Sequence, residues 1–407
     1  MKAKLRENRK YIILSAVAVA AIVLFAVLSK VFALYPDFTL AYVMPVTKGI
    51  LTAIKWVMNF VPFSVTEVVI ALMLAYLAVM LIVGVIGLIR KLVRRLRGRY
   101  RVTVRAMRRE GAEPAYAAEE PEQKKTPLMK EIATVLITIA AVLFFFGISF
   151  GFVYNIPIVA DGIGLESEPY DKQLLYETTL YMAEHANACR RRLVEEGFTG
   201  TAELVRQSDQ FDFNETAAIL KESYRSLGEQ YSIYRGLPAK PKRLLTSEAI
   251  SYTGIAGMFL PFTGEANINV DSPVFALPQT MAHEMAHSLV IGRENEADFS
   301  GFLACVNSTD TLTQYSGYAM ALLSCTNDLY AADPELYYDV REQIDPGVLQ
   351  DFAEYSKHVN KYKGIVNNVS ASINDLSIKI RGDELGIQAY SKVVDLLVGW
   401  VAQQQPQ

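Results

Sequence analysis

The residues that most often announce a function are scarce in this chain. Among 407 residues there are 4 histidines and 3 cysteines. Cys189, Cys305 and Cys325 show no metal-type spacing, so nothing points to a thiolate metal site. Cys305 and Cys325 are able to pair in an oxidising compartment, and buried free thiols are the competing reading. A formal net charge of −3 leaves no basic excess, which argues against a nucleic-acid partner. Charge is also nearly missing from the long apolar runs, and a transport pathway through the bilayer would need it there.

What is abundant is apolar sequence, 51% of the chain, unevenly spread. Runs at about 11–33, 65–89 and 132–153 are long enough to cross a bilayer core of about 30 Å. The first exceeds a typical signal-peptide core and no small-residue cleavage site clearly follows, so it reads as a retained span. Lys2, Lys4, Arg6, Arg9 and Lys10 precede it, and a dense arginine cluster from Arg90 to Arg109 follows the second run. Between these runs, Leu34 to Ser64 carries only Lys48 and Lys55 as basic residues. By the positive-inside rule the N-terminus and the arginine cluster are cytoplasmic, and the third span leads outward. This predicts a multi-pass protein of the cytoplasmic membrane with an extracytoplasmic C-terminal domain.

The membrane region is therefore expected over 1–153 and a water-facing domain over 154–407. Within the first, 41–60 reads as an interfacial or re-entrant segment, and 90–130 as a basic cytoplasmic loop and linker. In the second, helical periodicity marks Leu174 to Glu196, Asn214 to Leu227 and Thr311 to Tyr330. Arg243 to Val274 is rich in glycine, proline and β-branched residues, which predicts a small sheet. The fold class is α+β, mostly helical: N-terminal transmembrane helices followed by a water-facing domain with a small β-sheet.

Two of the scarce histidines fall in His283-Glu284-Met285-Ala286-His287, which is HExxH, with Glu294-Asn295-Glu296-Ala297-Asp298 close behind. Positions i and i+4 share a helix face, so both imidazoles can reach one ion. Met281, Ala282, Met285, Ala286 and Leu289 would bury that helix, and buried ionisable groups need partners. Pro278 and Thr280 can start the helix, and Gly292 can end it in a left-handed conformation. Glu294 is the expected third ligand and Glu296 the alternative; Asp298, one turn later, would hold a ligand histidine. Glu284 is placed to take a proton from water. HExxHxxGxxH is excluded, because Val290 and Arg293 stand at its glycine and histidine positions.

HExxH followed by ExxxD resembles the gluzincins, and ENEAD is similar to the ExExD segment of membrane-embedded M48-type proteases. A closer resemblance is to a family of bacterial membrane proteins whose shared domain has no assigned function. It rests on Leu34-Tyr35-Pro36, Pro62-Phe63-Ser64 with Glu67, Tyr154-Asn155, Gly257 to Ala266, HEMAH-x6-ENEAD and Tyr390. Related sequences often have asparagine in place of Asp298, which suits a supporting role better than ligation. The resemblance implies a zincin-like, Zn²⁺-dependent peptidase domain.

The expected activity is metal-assisted hydrolysis of peptide bonds in envelope proteins or peptides, with Zn²⁺ on His283, His287 and Glu294 and with Glu284 as general base. The partners are then a peptide or protein substrate and the lipid bilayer. Gly257, Met258 and Phe259 lie in a segment able either to bind an extended substrate or to form a core hairpin. For the oxyanion donor Tyr315, Tyr318, His358 and Tyr390 are candidates, with Tyr390 preferred. His185 and His358 otherwise read as packed histidines. The alternative to an enzyme is a catalytically silent metal-containing sensor or peptide- or polymer-binding module.

Overall fold

The computed structural model describes residues 2–107, 128–154, 156–165, 170–198, 200–203, 209–380 and 392–404. The chain divides into two compact units, Met1–Ala16 with Glu67–Ile137, and Val17–Thr66 with Thr138–Gln407.

The first unit holds the start of α1 (Lys2–Leu34), nearly all of α4 (Val65–Met107) and the start of α5 (Leu128–Phe146). Arg9–Leu34, Val65–Arg90 and Met129–Gly151 are each long and apolar enough to cross a membrane. Val65–Arg90 exposes apolar side chains all round, among them Leu72, Leu77 and Leu81, as a helix solvated by lipid would. Past Arg90 the expected loop is instead a continuation of α4 to Met107. Arg, Lys, Leu and Val run there without proline, and nothing stops the backbone ladder. Residues 108–127, most of the expected linker, lie outside the described residues.

The second unit begins with the rest of α1, a short α2 (Pro36–Phe38), and α3 (Met44–Met58) within the 41–60 segment. Met44, Thr47, Leu51 and Lys55, spaced three and four apart, form the buried face of α3. After α5 a π-helical stretch, Gly147–Gly151, leads past α6 (Val159–Ile163) into α7 (Lys172–Glu195) and α8 (Phe213–Gln230). The sheet follows: β1 (Pro241–Arg243), α9 (Ser247–Ser251), β2 (Gly257–Leu260) and β3 (Glu265–Ile268). Strand order is β1-β3-β2, with β1 parallel and β2 antiparallel to the central strand.

Next come α10 (Leu277–Ser288), α11 (Glu294–Val306), α12 (Thr311–Ala332), α13 (Pro334–Gln343), α14 (Pro346–Lys361), α15 (Ile365–Ile380) and α16 (Val393–Gln404). Aspartate caps recur at their starts: Asp171, Asp212, Asp310, Asp333 and Asp345 each accept first-turn amide hydrogens of the helix that follows. The core gathers Met182, Ala186 and Leu193 of α7, Met281 and Met285 of α10, Phe299 and Phe302 of α11, and Leu322 and Leu329 of α12. Cys189, Cys305 and Cys325 are buried free thiols, so Cys305 and Cys325 do not pair.

Both ends of α10 differ from expectation. Thr280 does not cap its start; its hydroxyl donates to the Ala276 carbonyl, and Ser316 of α12 accepts from the Gln279 amide instead. Pro278 does lie in the first turn. At the other end the left-handed residue is Val290, φ 74°, not Gly292. Ile291 donates to Ala286 and Val290 to His287, a Schellman closure. A β-branched residue there stores backbone strain on the order of 1–3 kcal/mol. Gly292 serves contact: a Cβ at that position would lie 2.4 Å from the Tyr154 carbonyl oxygen.

Candidate metal centre

α10 and α11 approach closely because residue 301 is glycine; a Cβ there would stand 3.0 Å from the His283 amide nitrogen. The two helices thereby bring His283, His287 and Glu294 together, one ligand atom from each lying within 4.8 Å of the others. All three are buried. The ring Nδ1 of His287 meets the Ile291 carbonyl at 2.8 Å. A carbonyl can only accept, so Nδ1 donates there and Nε2 is the nitrogen left facing the cluster. His283 Nδ1 meets Asp298 Oδ1 at 2.6 Å, which turns its Nε2 toward the cluster in the same way.

Both Nε2 atoms point to Glu294 Oε2, each 3.4 Å away. Ligands about 2.0–2.1 Å from a tetrahedral zinc are separated by about 3.3–3.4 Å, so these two separations suit such an ion. The remaining Glu294 oxygen, Oε1, accepts from the Tyr154 hydroxyl at 2.9 Å. Burial opposes charge on Glu294, but the adjacent imidazoles of His287 and His283 outweigh it and hold the carboxyl well below the usual range.

Glu284 lies beside this cluster, 5% exposed. Its Oε2 has no hydrogen-bond partner among the described residues, and burial raises its pKa. A Cβ at residue 257 would sit 2.6 Å from Glu284 Oε1, so Gly257 is what admits the carboxylate. Phe259 flanks His287 with ring centroids 6.4 Å apart, and Phe150 adds an edge contact at 6.0 Å. The Met258 carbonyl accepts from the Asn267 side chain. Gly257 and Phe259 therefore touch the cluster, while Met258 is tied into the sheet.

Other candidates fall elsewhere. Glu296 accepts from the amides of Ile158 and Val159 at 2.8 and 2.9 Å, away from the histidines, and burial pushes its carboxyl up to about 7. Tyr315 donates to Asp351, and Tyr318 stacks near His185, whose Nδ1 contacts the Tyr181 carbonyl oxygen. His358 packs on Tyr362. Tyr390 and Asn155 lie outside the described residues.

Sequence reasoning named Tyr154 only as part of the family resemblance and gave no site role to it or to Phe150, which lie at and just past the end of the third apolar helix. It also missed Lys55, which donates to the Ser288 carbonyl at the end of α10. Burial, aided by Lys48, lowers the Lys55 ammonium to about 7. Two lysines, Lys48 and Lys55, in an otherwise apolar helix were the available signal. The target of Lys55, 233 residues away, was not legible.

No curated protein and no solved structure matches this chain. A family model matches over residues 42–398, a range that takes in α3, the sheet and the whole histidine–glutamate cluster, and the chain belongs to that family, described as a protein of unknown function, DUF3810.

Proposed function

We propose that the protein is a membrane-anchored, zinc-dependent peptidase. The observation that carries this is the convergence of two Nε2 atoms on one carboxylate oxygen, each 3.4 Å from it, beside a buried glutamate with an unused oxygen. Zinc held by His283, His287 and Glu294 would supply Lewis acidity and lower the pKa of water toward about 7.

The chain's own residues do the rest. Asp298 and the Ile291 carbonyl orient the two imidazoles, and Tyr154 holds Glu294 in orientation. Glu284 takes the proton of the attacking water on Oε2 and passes it to the leaving amine. Gly257 leaves room for that carboxylate. β2 is an edge strand, and its antiparallel register turns the backbone groups of Gly257 and Phe259 away from β3. An extended peptide pairing there would lie against Glu284. In this reading the basic N-terminus is cytoplasmic and the site faces the opposite side.

The test is Glu284→Gln in the full-length protein. It should keep stoichiometric zinc while cleavage of a peptide library falls about 10²–10⁴-fold. If the wild type cleaves nothing in a metal-dependent manner while both proteins bind the same peptide or polymer, the chain is a binding module.

A further inference from the structure

The cluster is built against the end of a membrane-crossing helix. Phe150 lies within Met129–Gly151, and its ring touches those of His287, Phe259 and Tyr154 at 6.0, 5.6 and 5.7 Å. The turn joining β2 to β3 reaches further along the same helix, where Phe262 stacks on Phe145 at 5.5 Å. From Phe145 to Gly151 is about 9 Å of helical rise, so the hairpin tip overlaps the outer part of the apolar segment. β2 therefore leads from that level at Phe262 to Glu284 at Gly257.

The surrounding surface agrees. Phe25 and Phe32 of the first apolar helix pack on Phe152 at 5.5 and 5.1 Å, and Thr47 of α3 donates to the Ile148 carbonyl. While one face of α3 is buried, Trp56 is 63% exposed and neighbouring Phe60 is 74% exposed. Aromatic side chains in that situation are stabilised at the headgroup level of a bilayer. The lipid surface is the occupant that continuity with the apolar helices selects for this face.

We infer that the centre operates at the bilayer surface and that its substrates are polypeptides held in the same membrane, cut close to where they leave it. This rests on the peptidase reading. A substrate strand paired along β2 starts near the apolar level and meets Glu284 within a few residues, because an extended chain covers about 3.3 Å per residue. The distance from the membrane, more than side-chain identity, then selects the bond.

The experiment uses the full chain with zinc in phosphatidylcholine vesicles. The probes are a single-span peptide carrying a degenerate spacer of about forty residues, and the same spacer pool free in solution. Products are read by mass. Anchored spacers should be cut within about the first ten residues from the span, and at least about tenfold faster than the free pool. Insertion of an inert Gly-Ser block beside the span should move the cut in sequence and leave its distance from the span unchanged. Cuts scattered along the spacer, or equal rates for the free pool, would overturn the inference and leave the peptidase reading standing. No zinc-dependent cleavage of either probe would remove both.

Discussion

Two buried glutamates on neighbouring elements, Glu265 of β3 and Glu284 of α10, are used in opposite ways. Glu265 is saturated: it accepts from the amides of Val65 and Thr66, the Thr66 hydroxyl and the Lys242 ammonium. Lys242 also donates to the carbonyls of Met58 and Phe63. Every charge there is answered locally, so that end of the sheet clamps the chain leading into the second apolar run. Glu284 keeps an oxygen without a partner among the described residues, beside the imidazoles of His283 and His287. Both are buried; only one is satisfied. A saturated carboxylate holds structure, while an unsatisfied buried one marks a candidate site.

The contrast is most sharply tested by removing one carboxylate from each region. Glu294→Ala should abolish zinc retention, read by elemental analysis, and cleavage with it. Glu265→Ala should leave zinc bound in the folded fraction but cost about 3–5 kcal/mol of stability by stranding Lys242. Pairing it with Lys242→Met should recover most of that loss in a denaturation series. Equal zinc loss in Glu294→Ala and Glu265→Ala would erase the distinction.

Acid should separate the regions as well. Burial pushes the Glu265 carboxyl up, but bonds from Lys242, Thr66 and Val65 outweigh it and leave the group below its ordinary value. The stability this contributes is present above the unfolded value of about 4.3 and is lost as pH falls through the lower folded value. Glu265→Gln should flatten that acid limb of a stability–pH curve; an unchanged limb would show that the clamp does not titrate as described.

Smaller effects lie around the ligands. Asp298→Ala should weaken zinc binding about 10–100-fold in chelator competition, and Asp298→Asn less, since an amide oxygen still accepts from His283 Nδ1. Tyr154→Phe removes one bond to Glu294 and should weaken binding about fivefold, near 1 kcal/mol. Glu296→Ala should retain zinc. Zinc loss there, with Glu294→Ala still loaded, would reverse the assignment of the third ligand.

The apolar runs, the helical character of the domain and the histidine–glutamate spacing could be read directly, because each is a local pattern: length, periodicity, or two side chains one helical turn apart. That Glu294 rather than Glu296 lies beside the histidines could be anticipated from helix phase, since residues two apart point roughly 160° away from each other. The strained Val290 could not. A β-branched residue is a poor guess for a left-handed position, and it is held there by a Schellman turn that also delivers the Ile291 carbonyl to His287. Thr280 resembled a cap, but the capping oxygen comes from Ser316, 37 residues away.

By itself the sequence determined which segments prefer lipid, which form helices, and that His283 and His287 share a helix face, since these depend on neighbours within one or two turns. Tertiary structure alone decided that Tyr154, Phe150 and Gly257 would enclose the histidine–glutamate cluster, that Glu296 would serve the α6 amides, and that Lys55 would close the end of α10. Those contacts join residues 27 to 233 positions apart. Only packing of the completed core sets such distances, so no local pattern records them.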